Sequence, residues 1–131
     1  MMNADGEFSI TSWDEETYQE IEGQGRLARV SATGSFTGDL SGTGDFRWLM
    51  CYRRDGSARF VGLQRIEGTV DGRSGSFVVE SVGDFDGPGV SATWSVLSGS
   101  GTGELAGLRG GGHFSAPSGS NASFRLDYRF E

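Results

Sequence analysis

Alternating apolar and polar residues run through the middle of the chain and are interrupted by three pairs of turn-forming residues, Gly38-Asp39, Asp55-Gly56 and Asp71-Gly72. Each pair lies between runs rich in β-branched and aromatic residues, the pattern of strands joined by tight hairpins. Taken as two-residue turns, the pairs set the register of four consecutive strands. Residues paired across a ladder share a face. One face then holds Ala28, Val30, Ala32 and Phe36, followed by Asp45, Arg47, Leu49 and Cys51, then Phe60, Gln64 and Ile66, then Phe77, Val79 and Ser81. The other holds Arg29 and Thr33, then Phe46, Trp48 and Met50, then Val61, Leu63, Arg65 and Glu67, then Val78, Glu80 and Val82. The first face is the more apolar and is assigned to the interior. Val30, Phe60, Phe77 and Val79 are therefore expected inside, with Arg29, Arg65, Glu67 and Glu80 outside.

Over the whole chain the pattern predicts strands at residues 7–13, 25–37, 40–53, 58–70, 73–85, 90–97, 104–115 and 122–130. The acidic stretch Asp14 to Glu20 is the one helix candidate, and it reads equally well as a loop. Short connections between consecutive strands describe an antiparallel meander. Eight such strands can close on themselves, which removes both edges and leaves an interior that side chains fill or that holds one small ligand. The expected fold is therefore all-β, an antiparallel closed barrel of about eight strands with little or no helix. An open two-layer sandwich is the alternative.

Length and composition agree with one domain over residues 1–131, large enough for a core without disulfide or metal. The 23 glycines are spread through the strand runs, as a tightly curved sheet requires where backbones approach closely. The net charge is −7, there is no lysine, and the 11 arginines are scattered among 18 acids, which argues against a nucleic-acid partner. No apolar run has the length of a membrane helix, so no membrane partner is expected. The start MMNADGEFS lacks the basic and apolar regions of a signal peptide, and the cytoplasm is the expected location.

Several chemistries are poorly supported. One histidine and one cysteine cannot supply a usual zinc site, and no acidic run has calcium-loop spacing, so neither metal nor cofactor is expected. Gly101-Thr-Gly103-Glu-Leu-Ala106 matches a dinucleotide fingerprint only on paper. Further glycines follow it where a helix should begin, and a bend between strands is the better reading. Asn121-Ala122-Ser123 would be a glycosylation site only in a secreted eukaryotic chain.

The segments FVGLQRIEGTVDGRSGSFVVE (60–80), SGSGTGELAGLRGGGHF (98–114) and LSGTGDFRWLM (40–50), with the terminal LDY (126–128), resemble the bacterial domain of unknown function 3224 family over most of the chain. The resemblance implies a small β-barrel of the allene-oxide-cyclase-like group, similar in architecture to avidin-like and lipocalin-like barrels. It implies no particular activity.

On the assigned inner face Arg47 and Gln64 are cross-strand partners, with Asp45 and Ser81 nearby among Phe60, Phe77 and Trp94. A few polar groups converging in an apolar cavity are the usual form of a small-molecule site. The competing reading is an internal Arg47–Asp45 or Arg47–Glu104 ion pair. The functional expectation is a barrel that binds a hydrophobic, oxygen-bearing molecule, with Asp45, Cys51, Phe60, Phe77, Ser81 and Trp94 shaping the site. It includes a cofactor-independent cyclase or isomerase in which Arg47 and Gln64 stabilise an oxyanion and His113 or Tyr128 moves a proton. A non-catalytic carrier or sensor is the second reading and a structural module with a filled core the third. Trp48, Met50, Val61 and Leu63 form an outer patch that calls for homo-oligomerisation, unless the segment around Trp13 and Tyr18 folds over it.

Overall fold

Eight antiparallel strands close into a barrel in the order β1-β2-β3-β4-β5-β6-β7-β8, each bonded to its neighbours in sequence and β1 bonded to β8. In this computed structural model they span Met2–Ile21, Gly25–Gly38, Leu40–Tyr52, Ala58–Val70, Arg73–Asp86, Gly89–Val96, Leu108–Pro117 and Ala122–Phe130. The structure describes residues 1–117 and 121–131. Closure rules out the open sandwich. The acidic stretch Asp14 to Glu20 is neither helix nor loop but part of β1, which runs for 20 residues.

β1 pairs with β8 only from Met2 to Phe8, whereas its ladder with β2 continues to Ile21. Register shifts between Ile10 and Ser12 and between Thr17 and Gln19 bend this long strand. The second half of β1 is therefore paired on one side only, as the free edge of a sheet in which β2 continues its own ladder with β3 from Arg26 to Phe36. Trp13 packs on Trp48 with ring centroids 5.9 Å apart.

The turn between β4 and β5 is as the sequence predicts. Val70 pairs with Arg73, and Asp71 and Gly72 both have positive φ, 48° and 85°, in a two-residue turn. The other two turns each differ by one residue. Pairing of Phe36 with Gly42 centres the β2–β3 turn on Asp39, and pairing of Tyr52 with Ala58 leaves a five-residue loop between β3 and β4. Hydrogen bonds made at each turn explain both. The Asp39 N–H donates to the Asp5 carbonyl and the Asp39 carboxylate accepts from the Asp5 N–H, which ties the first turn to β1. In the second, Arg53 N–H donates to Ser57 O, and Asp55 accepts from both the Ser57 N–H and its hydroxyl.

The two slips cancel across β3. β2, β4 and β5 keep the predicted facing, with Val30, Phe60, Phe77 and Val79 buried and Arg29, Arg65, Glu67 and Glu80 exposed. β3 alone is reversed. Phe46, Trp48 and Met50 point into the barrel, and Asp45, Arg47, Leu49 and Cys51 point to solvent.

The core fills the barrel from its lower end. There the connection from β6 to β7 makes a 3-10 turn, Gly103–Leu105, whose Leu105 is fully buried and belongs to the same core as the buried Leu40, Val70 and Leu108. Glu104, once a possible partner for Arg47, instead accepts a hydrogen bond from the Ser74 N–H at 3.1 Å. At mid-height Phe8, Phe36, Phe46, Trp94, Phe114 and Phe124 make a continuous aromatic cluster with centroid spacings of 5.0 to 6.3 Å. Gly44 makes room for it, since a Cβ there would stand 2.3 Å from the Phe46 ring and 2.8 Å from that of Phe36.

Candidate functional site

Above the aromatic cluster the barrel is open, and its upper end holds a cavity of about 340 Å³. That volume lies at the lower end of the range for small-molecule sites, roughly 300–1,000 Å³. Phe8, Trp48, Phe60 and Phe114 are nearly fully buried and form its base. Met50, Phe85, Val90, Ala116 and Ala122 form the wall, and Trp13, Tyr52, Ser9 and Ile10 the rim. Among the described residues seven aromatic ones line this space and none of the lining residues is charged.

The strands supply these residues by the period-two rule. Trp48, Met50 and Tyr52 are successive inward positions of β3, and Phe8 is the last β1 residue paired with β8. Two indoles anchor the layer beneath. Trp48 Nε1 donates to Ser81 Oγ at 3.0 Å, and Trp94 Nε1 donates to Gln64 Oε1 at 3.0 Å. Gln64 is wholly buried, and its Nε2 finds no acceptor among the described residues.

The rim carries the polar chemistry nearest the cavity. Glu15 accepts from the Tyr52 hydroxyl at 3.1 Å, from Trp13 Nε1 at 3.2 Å and from Arg26 at 3.1 Å. The Arg26 guanidinium also stacks on the Tyr52 ring, 3.9 Å from its centroid. Burial raises the Tyr52 pKa above its ordinary value, and the neighbouring Glu15 carboxylate raises it further. Tyr52 therefore keeps its proton at neutral pH.

The residues singled out from the sequence are scattered by this architecture. Arg47 and Asp45 are ion-paired with each other at 2.5 Å on the outer wall, with more than half of each side chain exposed. An exposed pair of this kind contributes about 1 kcal/mol or less. Cys51 is exposed on the same wall and His113 on the outside of β7. Tyr128 is buried at the opposite end, where its hydroxyl donates to Asp71; burial and that hydrogen bond push its pKa up to about 12. Phe77 lies in the filled core beside Ile66, its ladder partner. Gln64, Ser81 and Trp94 are brought together beneath the cavity, and Phe60 lines it.

Reading from sequence missed Trp48, Met50, Tyr52, Phe8, Phe85 and Phe114. A signal for the first two existed within β3 itself, because Phe46, Trp48 and Met50 are apolar and alternate with charged Asp45 and Arg47. In the alternative to oligomerisation the segment around Trp13 folds over the outer patch. Trp13 packs instead at the cavity rim. Among the described residues no group of three or more His, Cys, Asp or Glu is arranged to hold a metal ion.

A search of functionally curated proteins returns no match. Among solved structures, the chain is similar to a protein with unknown function from the DUF3224 family of Shewanella oneidensis MR-1. The two share 28% sequence identity and a TM-score of 0.85, covering 100% of this chain and 98% of that one. The profile of the family described as protein of unknown function (DUF3224) matches residues 4–128, and the chain belongs to that family.

Proposed function

We propose that this barrel binds a compact, uncharged hydrophobic molecule in its upper cavity and carries or senses it without chemical change. The observation that carries this reading is the cavity lining, which among the described residues has seven aromatic side chains, several aliphatic ones and no charged group. Ligand affinity there would come from burial of apolar surface and aromatic stacking. The Tyr52 hydroxyl and Ser9 at the rim are the groups able to orient an oxygen of the ligand.

A cofactor-independent cyclisation or isomerisation in the same cavity is the less supported reading. It needs a group that moves a proton at the reacting atoms. The nearest such group is the Tyr52–Glu15 pair, in which the phenol is held protonated and the carboxylate already accepts three hydrogen bonds. Arg47, His113 and Tyr128, the groups once considered for catalysis, do not line the cavity.

The neutral fluorophore N-phenylnaphthylamine tests the proposal. Its emission should rise saturably on addition of the protein. Ala116→Phe, which fills the wall between Val90 and the rim, should weaken that binding at least about tenfold, roughly 1.4 kcal/mol, while leaving the melting temperature within a few degrees. No saturable signal with the natural sequence, or equal binding by the variant, would overturn it.

A further inference from the structure

The outward face of β3, β4 and β5 carries Leu49, Val61 and Leu63, which remain 52%, 45% and 47% exposed. They are contiguous. Leu49 pairs with Val61 and Val61 with half-buried Val82 in one row, and the next row reads Arg47, Leu63, Glu80. Leu63 thus has a cation on one side and an anion on the other. Arg47 is bonded to Asp45, while Glu80 has no ion-pair partner among the described residues.

We propose that this wall is the interface of a two-fold homodimer whose axis runs along β4. An interface between identical faces must be self-complementary. A two-fold axis parallel to β4 exchanges β3 of one copy with β5 of the other, so Val61 and Leu63 meet their own counterparts and Leu49 meets Val82 of the second copy. Arg47 then stands opposite Glu80 of the second copy, twice over. An in-plane axis across the strands through the Leu63 row would instead set Arg47 against Arg47 and Glu80 against Glu80. The charges therefore select one of the two arrangements. On the chosen axis Arg59 and Arg65 approach their own copies, but each is already paired within its chain, with Asp84 at 2.7 Å and Glu67 at 3.3 Å. The patch does not touch the cavity, so this inference is independent of the proposed ligand.

Sedimentation velocity across the micromolar range tests it with charge exchange. The natural chain should dimerise. Glu80→Arg and Arg47→Glu should each weaken dimerisation at least about tenfold by placing like charges together, and the double variant Arg47→Glu/Glu80→Arg should restore it. Leu63→Asp should give monomer. Cys51, exposed and the only cysteine, supplies a geometric check. It lies one strand from the axis, so the two Cys51 positions are separated laterally by about 10 Å, twice the strand spacing, and a short bis-maleimide should link them. A monomer at every concentration would overturn the proposal. So would a double variant no better than the singles, or a dimer that the linker fails to join.

Discussion

Gln64 is the most informative residue to perturb, because half of its side chain is satisfied and half is not. It is fully buried between Phe46 and Val79 on the neighbouring strands. The Trp94 indole nitrogen can only donate, so the amide oxygen must face it and the amide nitrogen must face away. A buried polar group left without a partner costs about 1–3 kcal/mol. Gln64→Leu removes the unpartnered amide nitrogen and at the same time strands the indole N–H, two terms of similar size and opposite sign. Its stability should stay within about 1 kcal/mol of the natural chain. Trp94→Phe strands the whole amide and opens a small cavity, and should cost roughly 3 kcal/mol. In the double variant both polar partners are gone and only the cavity term remains, so it should be more stable than Trp94→Phe by about 1–3 kcal/mol. Equilibrium urea unfolding with a shared slope measures all three. If Gln64→Leu costs more than about 3 kcal/mol, or if the double variant is no more stable than Trp94→Phe, the amide nitrogen is satisfied in solution and the reasoning is wrong.

Tyr128 gives a pH prediction at the closed end. Its folded pKa is raised to about 12 from the ordinary 10.0, so the stability it contributes is complete below pH 10 and is lost as pH rises toward 12. Melting temperature against pH should fall less steeply over that window in Tyr128→Phe than in the natural chain, and an identical slope would show that burial and the Asp71 hydrogen bond do not hold the phenol protonated. Gly44→Ala should destabilise the barrel by about 3 kcal/mol, because the new methyl collides with the Phe46 and Phe36 rings; a chemical-denaturation midpoint equal to that of the natural chain would show that the aromatic cluster yields.

The architecture was legible because closely spaced signals agreed. Asp71-Gly72 adopts positive φ at both residues, as its composition demands, and it set the β4–β5 register correctly. The other turns show where local chemistry stops being sufficient. Gly38-Asp39 suits a two-residue turn, yet Asp39 is bound to Asp5, which lies on the next strand and far away in sequence. The Asp55 carboxylate likewise draws Ser57 into a longer loop. A slip of one residue reverses a strand, so the slip entering β3 moved Arg47 and Asp45 from the supposed site to the outer wall and carried Trp48 and Met50 inward, and the slip leaving β3 restored the facing of β4.

The second half of β1 was hidden for a different reason. Asp14, Glu15, Glu16 and Glu20 have weak strand preference, and their strand exists because β2 offers a ladder along the whole length and because Trp13 and Glu15 find Trp48, Tyr52 and Arg26.

By itself the sequence determined the strand count, the antiparallel order and the inward faces of β2, β4 and β5, since each rests on alternation and turn residues a few positions apart. Only the tertiary structure decided which way β3 faces, which end of the barrel is plugged by Leu105 and which stays open, and that Gln64 and Trp94 meet. Those outcomes depend on contacts between residues about 30 or more positions apart, such as Asp5 with Asp39 or Gln64 with Trp94, and no short window of sequence contains both partners.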